Sequence, residues 1–170
     1  MALEIKIKNL KAANINGGYG GAFNPDISDN QFVFSNGNFS TDGDAQTSLF
    51  ILRGFSSDDS ISELYLDGES SKLVLKNNTS CFFTVKLLAR ASDGNTAAMV
   101  VDGAAKRGSN ASTIRLIGKP NNRIIYDEIG IGDMQFDVSI ASGSLKFYAT
   151  GKSGVNIRWL GRVELSELSY

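Results

Sequence analysis

The chain has 170 residues, 42% hydrophobic and 21% charged. That is the size and composition of one folded domain, long enough to bury a core without disulfides or metal. Its 17 basic and 18 acidic residues leave a net charge of −1, which argues against a nucleic-acid or membrane-surface binder working through bulk charge. Histidine is absent from the sequence, so Ser-His-Asp and Cys-His nucleophiles, His-ligated zinc and His general bases are excluded.

In chain order, Leu3-Glu4-Ile5-Lys6-Ile7-Lys8 alternates apolar and charged residues and predicts a half-buried strand. The same segment builds no apolar h-region, so no signal peptide is expected. No run approaches the roughly 20 apolar residues that span a bilayer as a helix, and the chain reads as soluble. Asn14 to Asn24 is rich in Gly and Asn. Its Gly17-Gly18-Tyr19-Gly20-Gly21 run leads into Ala22-Phe23-Asn24-Pro25, a turn. A phosphate-binding loop would instead lead into a helix with Lys-Ser/Thr. Residues 1–30 are therefore an N-terminal strand and arm, and residues 31–170 a separate β domain.

Short apolar runs broken by Gly, Asn, Asp and Ser then predict strands near 31–35, 47–55, 61–67, 72–76, 81–91, 96–102, 112–118, 123–127, 135–141, 144–150 and 155–166. Phe136, Val138 and Ile140 alternate with Asp137 and Ser139, and Ser142-Gly143 turns the chain into Leu145, Phe147 and Ala149, a hairpin. Ile157, Trp159, Gly161, Val163 and Leu165 form one face of a long strand, with Trp159 in the core. No segment carries the i, i+3, i+4, i+7 spacing of a normal helix. The fold class is all-β: an antiparallel β-sandwich, jelly-roll-like, with almost no helix.

Leu49-Phe50-Ile51-Leu52 and Phe82-Phe83 are apolar on both faces of their strands. One sandwich core takes only one face, so a neighbouring subunit is expected to cover the other, with Phe50, Leu52 and Phe82 as interface residues. Cys81 lies in the apolar run Cys81-Phe82-Phe83-Thr84-Val85 and reads as a small buried hydrophobe. It is the chain's single cysteine, so no internal disulfide is available.

Acidic residues are the remaining chemistry. Asp42-Gly43-Asp44, Asp58-Asp59 and Asp67-Gly68-Glu69 read as turn carboxylates, with a calcium site as the competing reading. Asp127-Glu128 and Glu164 with Glu167 are the carboxylate pairs a glycosidase would need, but adjacent strand residues point to opposite faces. No catalytic residue, cofactor or metal is therefore assigned. Tyr148 falls out of register with Leu145 and Phe147, so it points outward and is the candidate surface-binding residue. Lys106-Arg107, Lys119 and Arg123 read as solvated charge, with no aromatic platform for nucleic acid beside them.

The C-terminal block combines Gly143-Ser144-Leu145, Thr150-Gly151-Lys152-Ser153-Gly154 and Ile157-Arg158-Trp159. It resembles a recurring ending of tailed-bacteriophage virion proteins, found on tail fibres and other particle-surface proteins. The upstream order is also similar: Gly43-Asp44-Ala45-Gln46, Leu52-Arg53-Gly54, Leu73 to Thr79, Leu88-Ala89-Arg90, Leu116 to Pro120, and Phe136-Asp137-Val138. Together these span roughly residues 40–168. Gly161 stands where members of that group usually have Ala.

The resemblance implies a structural protein of the virion exterior, often trimeric, made in the host cytoplasm and joined to other capsid or tail proteins. It transfers no catalytic or ligand residue. The function expected is thus a non-enzymatic capsid decoration, head-fibre or tail-fibre-type subunit, a homotrimer acting by assembly and adhesion. The alternative is a carbohydrate-binding β-sandwich that contacts host surface glycan. Neither reading involves nucleic acid or membrane.

Overall fold

The computed structural model describes residues 31–35 and 37–170, so the strand and arm expected at 1–30 lie outside the described residues. Eleven strands follow one another: β1 (Phe32–Phe34), β2 (Ala45–Ser56), β3 (Ile61–Leu64), β4 (Leu73–Val74), β5 (Thr79–Ala91), β6 (Thr96–Arg107), β7 (Arg115–Leu116), β8 (Asn121–Asp127), β9 (Gln135–Ser139), β10 (Ser144–Thr150) and β11 (Ile157–Ser169). They form two antiparallel sheets. The larger has seven strands in the order β1-β2-β11-β5-β6-β7, with β8 also on the β6 edge; the smaller has β3 and β4 on one side of β10 and β9 on the other. The sheets pack face to face as an antiparallel β-sandwich, the architecture the period-2 alternation predicts.

One expected strand, 112–118, is instead a single 3-10 turn at Ala111–Thr113 followed by the two-residue β7. The Thr113 hydroxyl takes the Gly108 N–H (2.8 Å) and donates to the Asn110 carbonyl (2.6 Å). Local side-chain bonds of this kind compete with a sheet ladder and win here.

β11 is the spine of the large sheet. It pairs along nearly its whole length with β2 on one side and β5 on the other. Ile157, Trp159, Gly161, Val163, Leu165 and Glu167 face inward, and Arg158 to Leu168 face outward in strict alternation. The Trp159 indole is 3% exposed and donates to the Ser56 hydroxyl (3.0 Å), so its one polar atom is satisfied within the core. Opposite it, Leu145, Phe147 and Ala149 of β10 close the core from the small sheet.

Phe83, Phe136 and Phe147 form a three-ring cluster between the sheets, with centroids 5.6–6.0 Å apart. The Phe83 ring lies against Gly103 of β6, where a methyl group would overlap it. Arg107 ties the sheets at one end: its guanidinium donates to the Leu75 carbonyl (2.5 Å) and lies across Gly143, in the tight β9–β10 turn. Gly143 has φ +69°, so both its backbone and its missing side chain are required there. A further tie is a bridge between Arg53 and Tyr65, with paired N–H···O bonds of 2.7 and 3.0 Å.

Candidate functional site

The acidic turns serve their own backbones. Asp44, 4% exposed, accepts from the amides of Thr41 (2.9 Å), Ser40 (2.6 Å) and Phe39 (2.9 Å), which hold its carboxyl down at about 2. Asp67 likewise accepts from the amides of Glu69, Ser71 and Ser70, each at 2.9 Å, and is also lowered to about 2. Asp58 is lowered by the hydroxyl and amide of Ser60. Asp44 and Asp67 are each the acceptor that lets a tight turn satisfy several amides at once, and Asp58 holds one amide and one hydroxyl. Among the described residues, no group of three or more His, Cys, Asp or Glu side chains is placed to hold a metal ion.

The two carboxylate pairs are not brought together across a cleft. Glu164 faces outward on β11, where it meets Arg162 at 3.6 Å, and Glu167 faces inward. Glu167 is 8% exposed and accepts from Gln46 (3.0 Å) and the Ser48 hydroxyl, which ties β2 to β11. Asp127 accepts from the amides of Gly130 (2.7 Å) and Ile131 (3.0 Å), and Glu128 from that of Thr96 (3.1 Å). Cys81 is buried opposite Glu167, its cross-strand partner on β11. Burial, and secondarily Glu167, push its thiol up to about 12, which leaves it without nucleophilic character at neutral pH.

The sequence-assigned surface residues separate. Phe50 and Leu52 turn inward and are 5% and 1% exposed. Their apolar surface is covered by the chain's own second sheet, so they are core residues and not available to a neighbouring subunit. Phe82 faces outward and is 51% exposed. The outward apolar residues of β2 are Leu49, Ile51 and Phe55, in the phase opposite to Phe50 and Leu52.

The candidate site is therefore the outer face of the seven-stranded sheet. Register places its outward side chains in cross-strand rows. Leu168 lies beside Ser80, which faces Lys106. Next come Phe34, Thr47, Ser166, Phe82 and Ala104, then Leu49, Glu164, Thr84 and Asp102. Past the middle lie Ile51, Arg162, Lys86, Val100 and Arg123, followed by Arg53, Leu160, Leu88, Ala98 and Tyr126. Phe55, Arg158, Arg90 and Thr96 end the face.

Phe34, Ile51, Phe55, Phe82, Leu88, Tyr126, Leu160 and Leu168 are each 41–57% exposed. Six cations occupy the last three rows, with one acid, Glu128, at their β8 end on the Tyr126 hydroxyl and the Thr96 amide, while Glu164 and Asp102 share the row before them. The Thr84 hydroxyl donates to Asp102 at 2.8 Å and fixes its direction. Sequence reasoning missed Ile51, Leu88 and Leu160, although the outward alternation of Leu160 with Arg158 and Arg162 was a readable signal.

Tyr148 lies on the other side of the molecule, on the outer face of the small sheet. It sits between Glu63 of β3 and Gln135 of β9, and Lys146 pairs with Asp137. The Tyr148 phenol raises the Lys146 ammonium above its usual range. Tyr65 donates to Glu63 (3.1 Å), and Lys72 pairs with the same carboxylate (3.3 Å). Burial and then Glu63 raise the Tyr65 phenol. The arrangement sets two aromatic rings, Tyr148 and Tyr65, beside Glu63 among donors and acceptors.

No protein family's sequence profile matches this chain, and no curated protein matches it. Among solved structures, it is similar to the tailspike protein gp49 of Acinetobacter baumannii bacteriophage Fri1, a capsular polysaccharide depolymerase, with a TM-score of 0.40 and 14% identity. The match covers 74% of this chain and 18% of the tailspike chain, so the protein spans under a fifth of that tailspike's length.

Proposed function

We propose that the protein is a non-enzymatic structural protein of a tailed-bacteriophage particle, exposed on its exterior as a capsid decoration, head-fibre or tail-fibre-type subunit. The observation that carries this reading is the outer face of the seven-stranded sheet, which among the described residues exposes large apolar side chains interleaved with charged ones. Its central strand, β11, belongs to the block that resembles the ending of virion surface proteins. Arg and large apolar residues interleaved on a flat face are the composition of a protein–protein interface core and its rim. Divergence of Glu164 from Glu167 supports the non-enzymatic part, since neither can share a substrate atom with the other.

Antibody labelling of purified particles tests the location: label on the head or tail surface is expected, and particles free of the protein would reject the reading. Incubation with host capsule and peptidoglycan tests the chemistry. No release of reducing ends is expected, and turnover abolished by an acidic-to-amide substitution would overturn it.

A second reading, glycan binding, is favoured by the outward Tyr148 flanked by Glu63, Gln135 and Lys146, because a sugar stacks on an aromatic ring bordered by hydrogen-bonding groups. Retention of surface polysaccharide by the isolated protein, lost in Tyr148→Ala, would favour it over assembly alone.

A further inference from the structure

We infer that the outer face of the seven-stranded sheet is the seat of a second copy of this chain, related by a two-fold axis that crosses β11 near Val163 and reverses the strand direction. The rows on this face form their own complement. A two-fold axis lying between the facing sheets, perpendicular to the strands, carries each row onto the row equally far beyond the middle. The row of Glu164 and Asp102 then lies over the partner's row of Arg162, Lys86 and Arg123. Phe82 and Ser166 lie over Leu88 and Leu160, and Leu49 over Ile51. Acid meets base in the middle at Glu164 and Arg162, which also pair within each chain, and Phe82 meets Leu88 on either side of it. The end rows set Lys106, Ser80 and Leu168 over Thr96, Arg90 and Arg158.

Other placements lose this match. Two copies with strands running the same way put the six cations of one half against six identical cations, which electrostatics opposes. A three-fold ring with its axis along the strands has the same defect, because equal rows then meet at every contact. The homotrimer implied by the sequence resemblance is thus not the assembly this face selects.

The area is adequate. Eight large apolar or aromatic side chains about half exposed give on the order of 700 Å² of apolar surface. That exceeds the few hundred Å² usual for a monomer's largest patch and approaches the roughly 800 Å² per partner of a standard interface. Two twisted sheets packed face to face also match the aligned geometry of sandwich cores.

Sedimentation equilibrium of the full chain reads the assembly. The expected species has twice the monomer mass of 18.2 kDa. Arg162→Glu and Glu164→Arg should each weaken dimerisation by about tenfold or more, since each places like charges across the axis. The double variant Arg162→Glu/Glu164→Arg should regain dimerisation, because the two positions face each other reciprocally. Leu88→Asp should give a monomer, with near-ultraviolet circular dichroism of Trp159 reporting that the fold survives. A monomer or trimer in the wild type, or a double swap that fails to restore what the single changes remove, would overturn the proposal. The purified protein decides this without reference to the particle, so its failure and that of the location reading are separable.

Discussion

At the scale of single residues, turn carboxylates set how the fold responds to acid. Asp44 and Asp67 titrate at about 2 in the folded protein and near 3.9 in an unfolded chain. Their contribution to stability is complete above about pH 4 and is lost as pH falls through about 2. Urea midpoints followed by Trp159 fluorescence should therefore drop between pH 4 and pH 2.5. In Asp44→Asn/Asp67→Asn the midpoint at pH 7 should be lower and the acid drop smaller. Glycines give the second residue-scale prediction. At Gly161 an added methyl meets the Leu52 Cβ at 3.4 Å with no positive φ, so Gly161→Ala should stabilise by about 0.4–1 kcal/mol through the unfolded chain. At Gly103 the same change strikes the Phe83 ring and should cost about 1–3 kcal/mol, both read from denaturant midpoints. Those two glycines look alike in sequence; only the partner strand distinguishes them.

At the scale of elements, pairing predicts local stability. β11 is laddered on both sides and β5 is laddered to β11 and β6, whereas β4 and β7 contribute two residues each. Amide exchange should be slowest in β5 and β11 and fastest in β4, β7 and the three-residue β1. Exchange as slow in β7 as in β11 would contradict this ranking. The same elements show what was legible. Strands with clean alternation, β9, β10 and β11, declare both their position and their inward face. In β2 the run Leu49 to Leu52 declares a strand but not its phase, because a shift of one residue exchanges the faces and every residue is apolar. That is why Phe50 and Leu52 read as interface residues and are core. The outward site was partly legible at Phe82 and Tyr148. Its row structure was not, because rows exist only once register joins strands over a hundred residues apart in sequence.

At the scale of the whole molecule, the two sheets share one core and should melt as one unit. The three-ring cluster takes Phe83 from the large sheet and Phe136 and Phe147 from the small one, so neither sheet buries its apolar face alone. A single calorimetric transition with matching van't Hoff enthalpy is expected. Phe147→Ala should cost about 3–5 kcal/mol and lower the melting temperature of both sheets together. Loss of near-ultraviolet signal well before far-ultraviolet signal would speak against a shared core.

The place of β11 has a consequence for synthesis. It is the last described strand in chain order, yet it lies between β2 and β5, which do not touch each other in the ladder. A nascent chain emerging from the ribosome therefore carries two long unzipped strand edges until Ser169 has left the exit tunnel. The side-chain bond from Gln46 to Glu167 spans 121 positions and can close only at that moment. Emergence of β11 triggers completion of the large sheet, so any nascent polypeptide stalled before Ile157 should be a target for chaperones or a seed for aggregation.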